Sequence, residues 1–225
     1  MLTQNGLMDK EKQKFLTEVL RQPYTSSIPK KWEDNKEIVL ATMKFNGHLL
    51  QEASLRLKDD KEVVLAAIRD KAYTLNYASS RLKDDKEVVL ASVKTHTWSL
   101  NRASSRLKDD KEVVLTSVRG NGGSLKAASA RLKDDKEVVL TSVRSEGYAL
   151  KQASHRLRDD KEVVLAAVKN KPRALEYCSQ RLKDDKEVVE IVLTIDMGEL
   201  TLVTSYSSQV LPLLNPSLFT QEDRI

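Results

Sequence analysis

The amino-acid sequence predicts an all-α fold, a right-handed-type α-solenoid of about seven 25-residue two-helix repeats with capping helices at both ends. Three observations predict it. A charged and then aliphatic string recurs every 25 residues, residues typical of helix starts and ends bracket each aliphatic run, and seven Gly and five Pro are too few for a turn-rich all-β chain. The 40% share of hydrophobic residues excludes a wholly disordered chain.

The repeat is carried by the string Arg-Leu-Lys-Asp-Asp-Lys-Glu-Val-Val, which is followed by further aliphatic residues. A degenerate first copy has Trp32 at the position of Leu57, and a late copy drifts from the pattern after Val189. Complete copies begin at Arg56, Arg81, Arg106, Arg131, Arg156 (with one Arg-for-Lys change) and Arg181. Leucine recurs at 50, 75, 100, 125, 150, 175 and 200, and a small-residue row comprises Ala53, Ala78, Ala103, Ala128, Ala153 and Cys178.

Each unit is predicted to hold two helices. In the first, Asp59 is the expected N-cap and Glu62 completes an Asp-x-x-Glu capping box. The run 63–68 is apolar on nearly every side, so this helix is expected to be the inner one. A break follows near residues 70–72. The second helix has only a narrow apolar stripe of Leu75, Ala78 and Leu82, and is expected to be half solvated.

Two other architectures fit the period less well. A 25-residue repeat lies in the leucine-rich-repeat range, where the Val-Val-Leu run would be a strand, but the spaced Leu-x-Leu and Asn signature is missing. A long coiled coil conflicts with a period that is not a multiple of seven and with glycines that recur at the breaks. Helical repeats remain the prediction.

The expected organisation is an N-terminal capping helix and linker at 1–32, tandem repeats at 33–208 and a C-terminal cap or tail at 209–225. The capping helix spans 7–21, with Phe15, Leu16, Val19 and Leu20 as its apolar side. Residues 200–219 carry no charge, which raises a membrane span as an alternative, but Pro212 and several Ser and Thr favour a buried cap.

The expected compartment is the cytoplasm. The first twenty residues lack the apolar stretch of a signal peptide, and the single cysteine, Cys178, excludes an intramolecular disulfide. Delivery into a host cell is compatible with the sequence, although no residue in it indicates such delivery.

The repeat also resembles a known family. The string Leu-Lys-Asp-Asp-Lys-Glu-Val-Val-Leu-Ala-Ala-Val, followed by a Gly-aromatic-Ala-Leu turn, is similar to tandem repeats of bacteria, protists and large viruses that are classed as a domain of unknown function. The resemblance covers about residues 33 to 205. It implies helical repeats and often an interaction role, and it implies no known activity.

The residues contain no convincing catalytic constellation, so no enzyme activity, cofactor or metal is expected. His48, His96 and His155 lack co-ligands at metal spacing. The glycines of 120–123 lack the lysine and strand context of a phosphate loop. The paired acids at Asp59 and its equivalents recur in every unit, whereas an active site needs one special place.

A protein partner is the expected ligand, because two features vary from unit to unit on a constant frame. The first is the turn between the helices, and the second is the exposed flank of the second helix. Aromatic and Arg side chains are favoured at interfaces, although the same aromatics could wedge between units. The candidate binding residues are His48, Tyr73, Trp98, Tyr148, Arg173, Tyr77, Asn101, Arg102, Lys126, Lys151 and Tyr177.

Nucleic acid is the alternative partner. Two basic rows recur at repeat spacing and could follow a phosphate backbone, although acidic rows of similar density run beside them. The rows are Arg56/Arg81/Arg106/Arg131/Arg156/Arg181 and Lys44/Arg69/Lys94/Arg119/Arg144/Lys169.

Overall fold

The protein is described by a computed structural model at residues 4–21 and 27–195. All regular structure in these ranges is helical, in fourteen α-helices and seven 3-10 helices, without a strand. The predicted all-α class of tandem helical repeats is therefore confirmed. The predicted boundary at 208, the C-terminal cap and the uncharged stretch at 200–219 lie outside the described residues.

The chain forms two compact units, Met1–Leu107 and Lys108–Ile225. Within each unit the long helices of successive repeats pack against one another and against the 3-10 helices beside them. One repeat cannot bury its own apolar face, so each repeat depends on its neighbours for a core.

Each complete repeat contains a six-residue 3-10 helix, a four-residue α-helix and a ten-residue α-helix in that order, whereas the degenerate first copy has only the three-residue 3-10 helix η1 (Lys30–Trp32) before its long helix. The long helices, of which the first has eight residues, are α2 (Lys36–Met43), α4 (Lys61–Asp70), α6 (Lys86–Thr95), α8 (Lys111–Gly120), α10 (Lys136–Ser145), α12 (Lys161–Asn170) and α14 (Lys186–Ile195). The short α-helices are α3 (Leu55–Lys58), α5 (Ser80–Lys83), α7 (Ser105–Lys108), α9 (Ala130–Lys133), α11 (His155–Arg158) and α13 (Gln180–Lys183). The 3-10 helices are η1 (Lys30–Trp32), η2 (Gly47–Glu52), η3 (Ala72–Tyr77), η4 (Thr97–Arg102), η5 (Gly122–Ala127), η6 (Gly147–Gln152) and η7 (Pro172–Tyr177).

The predicted second helix is thus two helices, which corrects the two-helix description of the unit. In the second repeat, Ala78 is extended (φ −65°, ψ 155°) and ends η3. Ser79 then caps α5, since its hydroxyl oxygen accepts a hydrogen bond from the backbone N–H of Leu82 at 3.2 Å. A serine in this position starts a new helix because it satisfies an amide that the first turn leaves unpaired.

The predicted N-cap is also displaced by one residue. Asp60, rather than Asp59, caps α4 and accepts from the backbone N–H groups of Glu62 and Val63 at 3.0 and 3.2 Å. Asp59 ends α3. Two adjacent aspartates made the choice undecidable from sequence, and the predicted capping box does not form.

The core consists of the rows that the sequence predicts. The leucine row is fully buried at its six described positions, and Trp32, in the place of Leu57, is only 5% exposed. On the long helices the Val63-Val64 pair is buried, while Leu65 and Ala66 are half-buried, so one edge of each long helix faces solvent. The predicted inner helix is therefore only partly enclosed.

Glycine begins three of the 3-10 helices because backbones approach closely there. A Cβ on Gly47 would lie 2.3 Å from the carbonyl oxygen of Ala67. The backbone N–H of Gly47 donates to the Asp70 carboxylate at 2.8 Å, which joins successive repeats.

The N-terminal helix α1 (Gln4–Arg21) is confirmed and packs against α2. Its Val19 is fully buried, and Phe15 and Leu16 are half-buried. The fourth predicted apolar contact is wrong, since Leu20 is 67% exposed.

Candidate binding surface

The first acidic row joins each repeat to the next. The carboxylate of Asp59 accepts from the Ser79 hydroxyl and, at 3.0 Å, from Nε of Arg81, while a guanidinium N–H of Arg81 donates to the Asp59 carbonyl oxygen at 2.5 Å. The hydrogen bonds from Ser79 and Arg81 hold the pKa of Asp59 below its ordinary value of 3.8. The equivalent ion pairs are Asp34–Arg56, Asp84–Arg106, Asp109–Arg131, Asp134–Arg156 and Asp159–Arg181.

The second acidic row joins repeats through lysine. Nζ of Lys61 lies 2.8 Å from the Asp85 carboxylate and 2.8 Å from that of Glu87 in the following repeat. The hydrogen bonds that Lys61 donates to the carboxylates of Asp85 and Glu87 raise the pKa of Lys61. The equivalent lysines are Lys36, Lys111, Lys136 and Lys161.

Only one of the two basic rows therefore lacks ion pairs within the described part of the chain. The arginines of the first row are held by aspartates of the preceding repeat. The second row lies at the C-terminal ends of the long helices, is exposed, and has no ion pair with any described residue. It comprises Lys44, Arg69 and Lys94 in the first unit and Arg119, Arg144 and Lys169 in the second.

The turn row consists of the second residue of each six-residue 3-10 helix, η2 to η7: His48, Tyr73, Trp98, Gly123, Tyr148 and Arg173. In the first unit it forms an aromatic cluster. The His48 ring packs edge-to-face against Tyr73 and Tyr77, with centroid distances of 5.8 and 5.5 Å. Tyr73 is nevertheless 45% exposed, so packing between repeats covers only part of its side chain.

Next to this cluster a cleft of about 290 Å³ opens at the surface of the first unit. Trp98, which is 47% exposed, lies on it together with Tyr73. Arg102 and Asn101 supply polar groups to the lining, and the Asn101 amide donates to the Trp98 carbonyl oxygen at 3.1 Å. The cleft therefore combines two half-exposed aromatic rings with hydrogen-bonding side chains.

The second unit has a smaller aromatic group. Tyr148, 42% exposed, packs edge-to-face against Tyr177 at 6.4 Å. The Lys151 ammonium lies 5.5 Å from the Tyr177 ring, a cation–π contact. Lys126 and Arg173 are exposed.

Three residues that line the cleft, Asn76, His96 and Ser99, are missing from the predicted candidate residues. His96 appeared to be an isolated turn histidine, but it contributes to the lining beside Trp98. A repeat-by-repeat alignment could have suggested it, since His96 directly precedes η4 and so lies next to the turn row.

The other residues that the sequence raised as candidates for chemistry occupy positions that the packing of the repeat explains. Cys178 is buried, and desolvation raises its thiol pKa to about 11. Gly122 begins η5 instead of a phosphate loop. Within 4–21 and 27–195, no group of three His, Cys, Asp or Glu is arranged to hold a metal ion.

Repeated helical modules joined by lateral hydrogen bonds, with variable side chains on an exposed turn, define a tandem helical-repeat protein. The model of the family described as "Domain of unknown function (DUF4116)" matches residues 35–83, 70–108, 85–133, 110–158, 135–183 and 160–196. These matches cover more than half of the chain, so the protein belongs to this family. Each of the longer matches spans about two repeats. The matches that begin at residues 85, 110 and 135 start one repeat apart from each other.

Neither the curated proteins nor the solved structures yielded a match. In the part of the chain that the structure describes, no helix is long and apolar enough to cross a membrane.

Proposed function

We propose that this chain is a non-enzymatic repeat scaffold that binds another protein through its turn row and the adjoining flank of the 3-10 helices. The observation that carries the proposal is the cleft beside Tyr73 and Trp98. Large aromatic rings that stay half exposed beside an arginine are typical of protein-interface hot spots.

The size of the cleft supports a side chain as its occupant. At about 290 Å³ it lies at the lower limit for a small-molecule pocket, and it is open to solvent. A protruding aliphatic or aromatic side chain of a partner would cover Trp98 and Tyr73, while Arg102 would donate hydrogen bonds to a carboxylate or carbonyl oxygen at the rim.

Nucleic-acid binding is the second candidate, and the exposed row of Lys44, Arg69 and Lys94 favours it. The ion-paired arginine row weakens this alternative, because binding phosphate there would require breaking pairs that join the repeats. Binding that falls steeply between 50 and 200 mM salt would indicate phosphate contacts, as is usual for proteins that neutralise several phosphates.

The test compares the intact protein with a Tyr73→Ala/Trp98→Ala/Tyr148→Ala variant in a quantitative pull-down followed by affinity measurement on the captured protein. Leu55→Ala is the matched control, because Leu55 is 84% exposed on the short helix α3. The proposal expects the triple variant to keep its circular dichroism spectrum and lose at least tenfold in affinity. Unchanged binding by a folded triple variant would refute the assignment. If the triple variant unfolds, Trp98→Gln alone decides the same question.

A further inference from the structure

A second surface lies along the half-exposed edge of the long helices. In the first unit it forms a groove of about 600 Å³ between α1 and the helices α2 and α4. Leu16 and Leu20 of α1 form one wall, and Leu40 and Leu65 belong to the floor. A leucine that is 67% exposed beside other apolar side chains is costly in water, which favours an apolar occupant.

The charges at the groove are asymmetric. On one rim, Glu62 is paired with Lys36 at 2.9 Å, and Glu37 is paired with Lys12. On the other rim, Lys44 and Arg69 are exposed and have no ion pair among the described residues. The unneutralised charge beside the apolar floor is therefore positive.

The protein already shows what kind of element this face accepts. Helix α1 lies against α2, buries Val19 and forms an ion pair with the glutamate rim through Lys12. Packed helices are about 8–10 Å apart, so a helix placed beside α1 would rest on Leu65 and Ala66 of α4. Recognition would then follow the helix-in-groove mode, in which apolar side chains at i, i+3/i+4 and i+7 enter the groove.

We infer that this groove is a docking site for an amphipathic helix of a partner protein, with an apolar stripe over Leu20 and Leu65 and acidic residues facing Lys44 and Arg69. The site is distinct from the turn row, so it stands or falls independently of the proposed function. A helix with a basic flank would meet like charges at that rim.

The second unit repeats the arrangement. A depression of about 500 Å³ is lined by Leu165 and Ala166, with Glu162 on one side and Arg144 and Lys169 on the other. These positions are equivalent to those that line the groove of the first unit, so the second unit has its own apolar floor with a basic rim.

The experiment selects 18-residue helices from a display library in which leucines are fixed at i, i+3, i+4 and i+7 and the flanking positions vary between Glu, Lys and Gln. The full-length protein is the bait, and the Leu20→Glu variant is used for counter-selection. Leu55→Glu introduces the same change at another exposed leucine and is the control bait. Selected peptides are then measured by fluorescence anisotropy.

The expected result is a set of helices with Glu on one flank that bind the intact protein and Leu55→Glu alike, and at least tenfold more weakly to Leu20→Glu. The charge reversal Arg69→Glu should weaken binding tenfold. Changing the facing Glu of the selected helix to Lys should restore binding to this variant. Lys71→Glu, an exposed lysine of the same unit, should leave binding unchanged.

Four outcomes would overturn the inference. One is that no helix distinguishes the intact protein from Leu20→Glu. The second is that the enriched helices show no acidic preference. The third is that an oligonucleotide, in place of a helix, binds in an Arg69-dependent manner. The fourth is that the intact protein self-associates in sedimentation, becomes monomeric as Leu20→Glu and binds no helix, which would assign the groove to a second copy.

Discussion

Replacing Asp85 separates its two roles, the cap of α6 and the partner of Lys61. Its carboxylate accepts from the backbone N–H groups of Glu87 and Val88 at 3.0 and 3.1 Å, and Nζ of Lys61 lies 2.8 Å away. The Asp85→Ala variant loses both interactions. Asp85→Asn keeps an oxygen for the cap, as the first repeat does naturally, where Asn35 caps α2.

The two substitutions should therefore differ in the free energy of unfolding. Loss of an N-cap costs about 0.5–2 kcal/mol. A partly exposed ion pair contributes about 0.2–1 kcal/mol, and the Asp85 and Lys61 side chains are 23% and 38% exposed. We expect Asp85→Asn to cost at most about 1 kcal/mol and Asp85→Ala about 1–3 kcal/mol.

Urea unfolding followed by circular dichroism at 222 nm measures these differences in the free energy of unfolding. Urea is uncharged, so the ionic strength can be varied separately. In 1 M NaCl the cost of Asp85→Asn should shrink, whereas the gap between Asn and Ala should persist. Glu87→Gln is the control, since Glu87 is 71% exposed and should change stability by less than about 0.5 kcal/mol. If the Asn and Ala variants were equally unstable, the capping argument would be wrong.

The same pair predicts a pH dependence. Partial burial raises the pKa of Asp85, but the hydrogen bonds from Lys61 and from the backbone N–H of Val88 outweigh it, so the pKa lies below 3.8. A carboxylate with a lowered folded-state pKa stabilises the protein above 3.8, and this contribution is lost as the pH falls through the folded-state value. The difference between the wild-type protein and Asp85→Asn should hence be constant from pH 7 to 5 and diminish below pH 4.

Three further predictions concern the core and the close contacts. Leu150→Ala removes a fully buried leucine and should lower the free energy of unfolding by about 2–5 kcal/mol in urea; a loss below 1 kcal/mol would contradict the packing. Gly122→Ala places a Cβ 2.2 Å from the Ser142 carbonyl oxygen, and a destabilisation of about 1–3 kcal/mol is expected from thermal unfolding. Cys178, 7% exposed with a pKa of about 11, should react with a disulfide reagent at pH 8 at least a hundredfold more slowly than in the urea-unfolded chain, and equal rates would show that the thiol is accessible.

Much of the local structure could be predicted from the sequence because it depends on spacing within one repeat. Leucine at a fixed 25-residue interval identified the buried row, and the aliphatic run after Lys-Glu identified the long helices. The helix break near Asp70 was also predicted, since the aliphatic period stops there. The division of the second helix was not, because Ser79 acts as a cap only when Ala78 takes an extended conformation.

The candidate site was predicted in part. The turn row was predicted from the variability of its residues between repeats. The handedness of the repeat stack, which belongs to the fold, stays a prediction. The cleft with Trp98 and the groove beside Leu20 were not visible, because each is formed by residues from different helices that pack side by side.

The sequence by itself determined the repeat, the composition of the core and, to within about one residue, the position at which the long helix begins. Only the tertiary structure decided which charges are available, because opposite charges about twenty residues apart in the chain become neighbours when repeats stack. Arg81 and Arg69 are equally basic in the sequence and both are exposed, yet Arg81 is paired with Asp59 of the preceding repeat, while Arg69 has no ion pair with any described residue. A pairing made between repeats has no signature in the order of residues within one.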